Sequence, residues 1–197
     1  NSVHYNENLD QIIISCRRTN EFYIIDHSTT TEEAESNQGG NSGVGGDFLY
    51  RWGNPQNYGI GGDENKILDA NHSVNEINIG YPGEGNVLIF NNNASNQSIN
   101  NSEVIELKIP LNYDNNYYLD EHGKFGPDDY VWQYQNDFFS PFQSGVFRLS
   151  NGNTLITEAD ASRIFEITLD GNLENLVPLP IGVVLVTHPL FSKSYTQ

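Results

Sequence analysis

Three polar residues, Asn1, His72 and Gln143, stand at equal spacing in this chain, and each is followed by a serine: Ser2, Ser73 and Ser144. Histidine is the member with chemistry of its own, because its imidazole titrates near neutral pH and serves as nucleophile, general acid or general base. The amides and hydroxyls beside it are the kind of groups that hold a polar ligand. A second set of positions stands where the chain reads "SCRRTNE", "FNNNAS" and "TEADAS". There Arg17 or Arg18 supplies the positive charge an anion needs, and Asn91, Asn92 and Glu158 occupy equivalent turns. Only nine residues are basic, so two adjacent arginines carry more weight than in a basic protein, although a surface ion pair explains them equally well. The candidate site therefore has His72 and Arg17 as catalytic groups and Ser73, Asn92, Ser144 and Glu158 as substrate-binding groups. The competing reading is that polar residues line a channel simply because water fills it.

The elements that must position these residues are strands. Short runs rich in Ile, Val, Phe and Tyr alternate with Gly, Asn, Asp and Pro clusters, and hardly any segment keeps a helical period. "NSVHYNENLDQIIISCRRTNEFYIIDH", "HSVNEINIGYPGEGNVLIFNNN" and "QSGVFRLSNGNTLITEADASRIFEITLDG" align as three repeats. The first predicts strands over 2–5, 11–16, 21–26 and 47–52, the second over 73–79, 86–91, 103–109 and 130–134, and the third over 145–149, 154–157, 163–168 and 172–177. Four antiparallel strands per unit describe the blades of a β-propeller. The chain is thus expected to be all-β, a single partial propeller with blades over 1–69, 70–139 and 140–180 and a tail over 181–197. Propellers have about 4 to 8 blades, so three make about half of one. The innermost strands line the channel, which brings Asn1, His72 and Gln143 to one mouth. Trp52 and Trp132, on outer strands, are expected to pack blades together.

Charge narrows the partners. With 26 acidic and 9 basic residues the formal charge is -17, which repels nucleic acid and anionic membrane surfaces. No apolar run approaches the roughly 20 residues that span a bilayer, so membrane insertion is not expected. Cys16 is the single cysteine and reads as a small apolar residue. The opening "NSVHY" already has a strand pattern and is read as a trimmed or processed start. Sequons occur at Asn71, Asn93, Asn96 and Asn100, a weak signal in an Asn-rich chain. Two long polar loops, 27–46 and 113–129, lack the spacing of an EF-hand. No zinc spacing, nucleophile elbow, Walker loop or dinucleotide fingerprint is present, and neither a metal nor a cofactor is expected.

The stretches "LDQIIISCRRTNEFYIIDHSTTTEEA", "GGNSGVGGDFLYRWGNPQNYG", "GEGNVLIFNNN" and "FFSPFQSGVFRLSNGNTLITEADASRIFEITLDG" together resemble the arylsulfotransferase family, over about residues 1–173. The resemblance implies a six-bladed propeller, half of it in this chain, that moves a sulfuryl group between phenols without the nucleotide sulfate donor. It implies a histidine nucleophile, with further histidines and an arginine around a central funnel. His72 matches a family histidine that binds or protonates an oxygen of the ester or the phenol. The sequence departs from the pattern at Asn96, where the family often has arginine, and at Gln143 and Ser144, where a histidine would serve covalent transfer. The partners implied are a small phenolic or sulfated molecule and the remaining blades or a second chain. The location expected is secreted, periplasmic or extracellular. The alternative is a non-catalytic extracellular binding or structural module.

Overall fold

The computed structural model describes residues 1–94, 101–112, 116–136 and 138–180. The predicted tail and the sequons at Asn96 and Asn100 lie outside the described residues. Three four-stranded antiparallel sheets follow one another along the chain. The first holds β1 (Ser2–Asn6), β2 (Gln11–Cys16), β3 (Glu21–Asp26) and β4 (Phe48–Trp52). The second holds β5 (His72–Glu76), β6 (Val87–Asn91), β7 (Glu103–Leu107) and β8 (Trp132–Tyr134), and the third β9 (Gly145–Arg148), β10 (Thr154–Glu158), β11 (Arg163–Ile167) and β12 (Leu173–Pro178). In each sheet the strands lie in chain order, and the first strands β1, β5 and β9 pack side by side. These are three blades of a β-propeller with their inner strands on the axis.

Which residues are buried follows from how many neighbours a blade has. In the middle blade every residue of β6 and β7 is buried, because a blade covers each face. Val87, Ile89, Ile105 and Leu107 pack toward Ile13, Phe22, Ile24, Tyr50 and Trp52 of the first blade. Leu88, Phe90 and Val104 pack toward Val146, Ile156, Phe165 and Ile167 of the third. Each such side chain, taken fully out of water, stabilises the fold by about 1.5–3 kcal/mol. By contrast β2 alternates buried and half-buried residues, because only one of its faces has a blade against it. Ile12 and Ile14 lie on the other face. At the far end β12 is exposed along its whole length, including Leu173, Leu176 and Val177.

Polar contacts lock the blades in register. Between the first and second, Tyr50 Oη donates to Gly126 O at 2.7 Å and Trp52 Nε1 to Pro127 O at 2.8 Å. Between the second and third, buried Arg148 pairs with buried Glu106 and lies 5.3 Å from the Trp132 ring. Trp132 Nε1 donates to Leu169 O at 2.8 Å, so both tryptophans join blades.

The loop over 27–46 has more structure than its polar, Gly-rich composition suggests. Within it α1 (Thr31–Glu35) starts at a capping box, with Thr30 N donating to Glu33 Oε2 at 2.8 Å and Glu33 N to Thr30 Oγ1 at 3.2 Å. Gly46 closes the loop at φ +75°, where an added Cβ would lie 1.9 Å from Ala34 O, so no other residue fits.

Candidate functional site

Residue type alone does not put His72 at a mouth; the repeat does. Asn1 precedes β1, His72 opens β5 and Gln143 precedes β9, and a chain of hydrogen bonds connects them. Asn1 Nδ2 donates to Asn71 O at 3.2 Å, and Gln143 N donates to His72 Nε2 at 3.3 Å. Arg17, exposed at the turn after β2, reaches across to Pro141 O at 3.5 Å. Its charge is among those felt by His72. The structure therefore brings Asn1, His72, Gln143 and Arg17 to one end of the inner strands.

The geometry fixes the form of the imidazole. His72 Nδ1 lies 2.7 Å from Asn92 Oδ1 and 2.9 Å from Ala70 O, both acceptors, so Nδ1 carries the proton. Nε2 then holds a lone pair, which accepts the Gln143 N–H. Burial pushes the His72 pKa down, against the opposing effect of its bonds to Asn92 and Ala70. A cationic ring would also set an Nε2 proton against the Gln143 N–H. Both arguments give a neutral ring at pH 7, unprotonated at Nε2.

Asn92 is what holds that ring. Fully buried, it accepts from His72 and donates through Nδ2 to Ser140 O at 2.7 Å and Gln143 O at 3.0 Å. The same side chain therefore anchors the imidazole and the segment that carries Gln143. Both of its Nδ2 protons go to main-chain carbonyls and the side chain is fully buried, so it supports the site from within the protein.

Ser73 is engaged with the neighbouring blade, and Ser144 accepts a bond from within its own. Ser73 Oγ accepts from Val146 N at 3.1 Å and donates to Val146 O at 3.5 Å, in the next blade. Its repeat partner Ser2 does the same one blade earlier, accepting from Val74 N at 2.9 Å and donating to Val74 O at 3.2 Å. Adjacent inner strands are not in one sheet, and these hydroxyls satisfy backbone groups that a ladder would otherwise pair. Ser144 Oγ accepts from Ala159 N at 3.1 Å. Ser73 and Ser144 have φ of 51° and 81°, left-handed values that a serine holds only where its surroundings enforce them. At Ser73 this accompanies a break in register between His72 and Asn75.

Glu158 is buried, ion-paired with Arg163, and accepts from Phe139 N at 3.1 Å, so its carboxylate serves the junction of β10 and β11. The sequon residue Asn71 is also fully buried, its Nδ2 donating to Ser15 Oγ at 2.9 Å and Glu21 O at 3.2 Å. Its side chain is closed to a glycan in the folded chain.

Sequence reasoning missed two further groups. Ser140, buried beside Asn92, accepts through Oγ from Asp160 N at 3.1 Å and donates to Phe142 O at 3.1 Å, fixing the segment before Gln143. Nothing in its local sequence marks it. At the other end of β5 stands Glu76, beside a cleft of about 260 Å³ between the first two blades. It lies on the same strand as His72, and the even spacing was the available signal.

No protein-family model matches the chain, and no curated protein matches it. Among solved structures, a protein of unknown function from Bacteroides caccae is 13% identical, with 90% of this chain and 45% of that one covered and a TM-score of 0.46. A streptogramin B lyase is 13% identical, covering 91% of this chain and 54% of its own, with a TM-score of 0.39. A virginiamycin B lyase from Staphylococcus aureus is 12% identical, covering 91% and 55%, with a TM-score of 0.40. The chain spans about half the length of these structures. Likeness at this level does not extend to chemistry.

Proposed function

We propose that the chain is part of a β-propeller arylsulfate sulfotransferase. In this reading the mouth at the start of the inner strands takes an aryl sulfate and passes its sulfuryl group to a second phenol. The observation that carries it is His72, neutral and unprotonated at Nε2, with the guanidinium of Arg17 nearby. A ring kept neutral at pH 7 is free to take a proton, so His72 acts first as base and then, as imidazolium, as acid to the leaving group. The phenol replaces the Gln143 N–H at Nε2. As its oxygen attacks sulfur, its proton passes to Nε2, and the bond from sulfur to the donor's phenolic oxygen breaks. The phenolate leaves and takes the proton back from the imidazolium. Arg17 offsets charge on the sulfuryl oxygens through the transfer. Gln143 and Ser144 stand where a histidine would serve covalent transfer, so the sulfuryl group passes in one displacement.

A second reading, a non-catalytic binding module, is favoured by the use of Ser73, Asn92, Ser144 and Glu158 within the protein. In either reading further blades, from the same polypeptide or a second chain, cover the open faces at Ile12 and Ile14 and at Leu173 and Val177. A secreted, periplasmic or extracellular setting goes with the proposal.

The test mixes the complete propeller, this chain with its further blades, with 4-nitrophenyl sulfate and phenol and follows nitrophenolate and phenyl sulfate. Turnover that falls by at least about a hundredfold in His72→Ala and Arg17→Ala supports transfer. Saturable binding without turnover selects the second reading, and neither binding nor turnover overturns both.

A further inference from the structure

The cleft beside Glu76 is separate from the mouth, since His72 opens β5 and Glu76 closes it, about 13 Å away at the rise of a strand. Its volume of about 260 Å³ lies between the first and second blades. The floor is apolar, made by Ile13, Ile24 and Val87 of the shared core. The rim is different, carrying Glu76, Glu84, Gln11 and Tyr117, and among the described residues no Lys, Arg or His lines the cleft.

Glu76 is the informative group. Its Oε2 accepts from Asn6 Nδ2 across the blade boundary, and among the described residues no cation lines the cleft beside the carboxylate. Burial consequently raises its pKa. Tyr117 directs its hydroxyl proton to Gln11 Oε1, which leaves lone pairs on the phenol oxygen for a further donor. Burial, together with the nearby Glu76 charge, pushes the phenol well up, so it stays neutral. Glu84 accepts from Gly80 N at 2.7 Å through one oxygen only. The rim thus offers hydrogen-bond acceptors and negative charge above an apolar floor.

We propose that this cleft binds a small organic cation, an ammonium group on a short apolar body. The ammonium supplies the counter-charge that Glu76 lacks and donates to Glu76 and the Tyr117 oxygen, while the body covers Ile13 and Val87. The volume lies just under the range of about 300–1,000 Å³ typical of ligand pockets, which limits the body to a few carbons.

The probe is n-butylammonium chloride, titrated into the 197-residue chain and followed by amide NMR shifts, with butan-1-ol and sodium butyrate as comparisons. Saturable shifts are expected at Gln11, Gly85 and Val87, with affinity at least about tenfold above that of butan-1-ol. Glu76→Gln is expected to weaken it about tenfold and Tyr117→Phe about threefold. Arg17→Ala, at the other end of the strands, leaves it unchanged, so failure here is separable from failure of the sulfuryl-transfer reading. Equal affinity for butan-1-ol overturns the proposal, as does the absence of saturable shifts at the cleft. So does retention of full affinity in both variants, and Tyr117→Phe decides alone if Glu76→Gln does not fold.

Discussion

Replacing Asn92 by alanine removes the side chain on which the geometry of His72 depends. Three hydrogen bonds go with it: those to His72 Nδ1 at 2.7 Å, Ser140 O at 2.7 Å and Gln143 O at 3.0 Å. Not every partner is stranded, because His72 Nδ1 keeps Ala70 O at 2.9 Å and Ser140 O keeps Ser102 Oγ at 3.4 Å. Gln143 O loses its partner on an exposed residue, where water can replace it. At about 1 kcal/mol net for each bond, Asn92→Ala costs about 3 kcal/mol. That is a large part of the 5–15 kcal/mol typical of a domain. Urea unfolding measures it as a drop in midpoint at unchanged slope. The ring nitrogens of His72 supply a second reading, since with Asn92 gone only Ala70 O holds the Nδ1 proton and the share of the Nε2-protonated tautomer rises. A loss below about 1 kcal/mol, with the tautomer intact, refutes the assignment of Asn92 as the anchor.

Other consequences follow from the same contacts. Arg148→Met leaves Glu106 buried without its cation and is expected to cost about 3–5 kcal/mol in urea unfolding, whereas Glu106→Gln/Arg148→Met together cost clearly less. Ser73→Ala strands the Val146 N–H and costs about 1–2 kcal/mol, with hydrogen exchange quickened at Val146 itself. Among the described residues the Glu103 carboxylate is bonded to the amides of Asn91 and Gln133, and burial raises its pKa. Its contribution to stability is complete below the unfolded pKa and is lost as pH rises through the folded one. Wild type should therefore gain on Glu103→Gln as pH falls from 7 to 4, and a constant difference contradicts the assignment. For His72 the folded pKa is lowered, so the stability that it contributes is present above 6.5 and is lost as pH falls through the folded value.

Much of this architecture is written in short-range pattern. The repeats of apolar runs and turns place all twelve strands within a few residues of where they form, because strand pairing here is local hairpin pairing. Ile12 and Ile14 stand out as apolar residues on a face that no described blade covers. The helix in the first long loop was also legible, since Thr30 and Glu33 have capping-box spacing, but the surrounding glycines masked it. The site was legible only as a place. Equal spacing brings His72 to the mouth with Gln143, yet the roles of Ser73 and Asn92 depend on Val146, Ser140 and Gln143, which lie far along the chain. Polar residues at a mouth look alike in sequence whether they face a ligand or a neighbouring blade, and only the partners separate them.

The central claim is a neutral His72 whose Nε2 lone pair, beside Arg17, meets an aryl sulfate and its acceptor at the mouth. Long-range ¹H–¹⁵N correlation of the imidazole at pH 7, before and after 4-nitrophenyl sulfate is added, tests it most directly. The account predicts the Nδ1-protonated tautomer in the free chain and a saturable shift of Nε2 with ligand that disappears in Arg17→Ala. A ring protonated at Nε2, or an Nε2 signal indifferent to the ester, contradicts it.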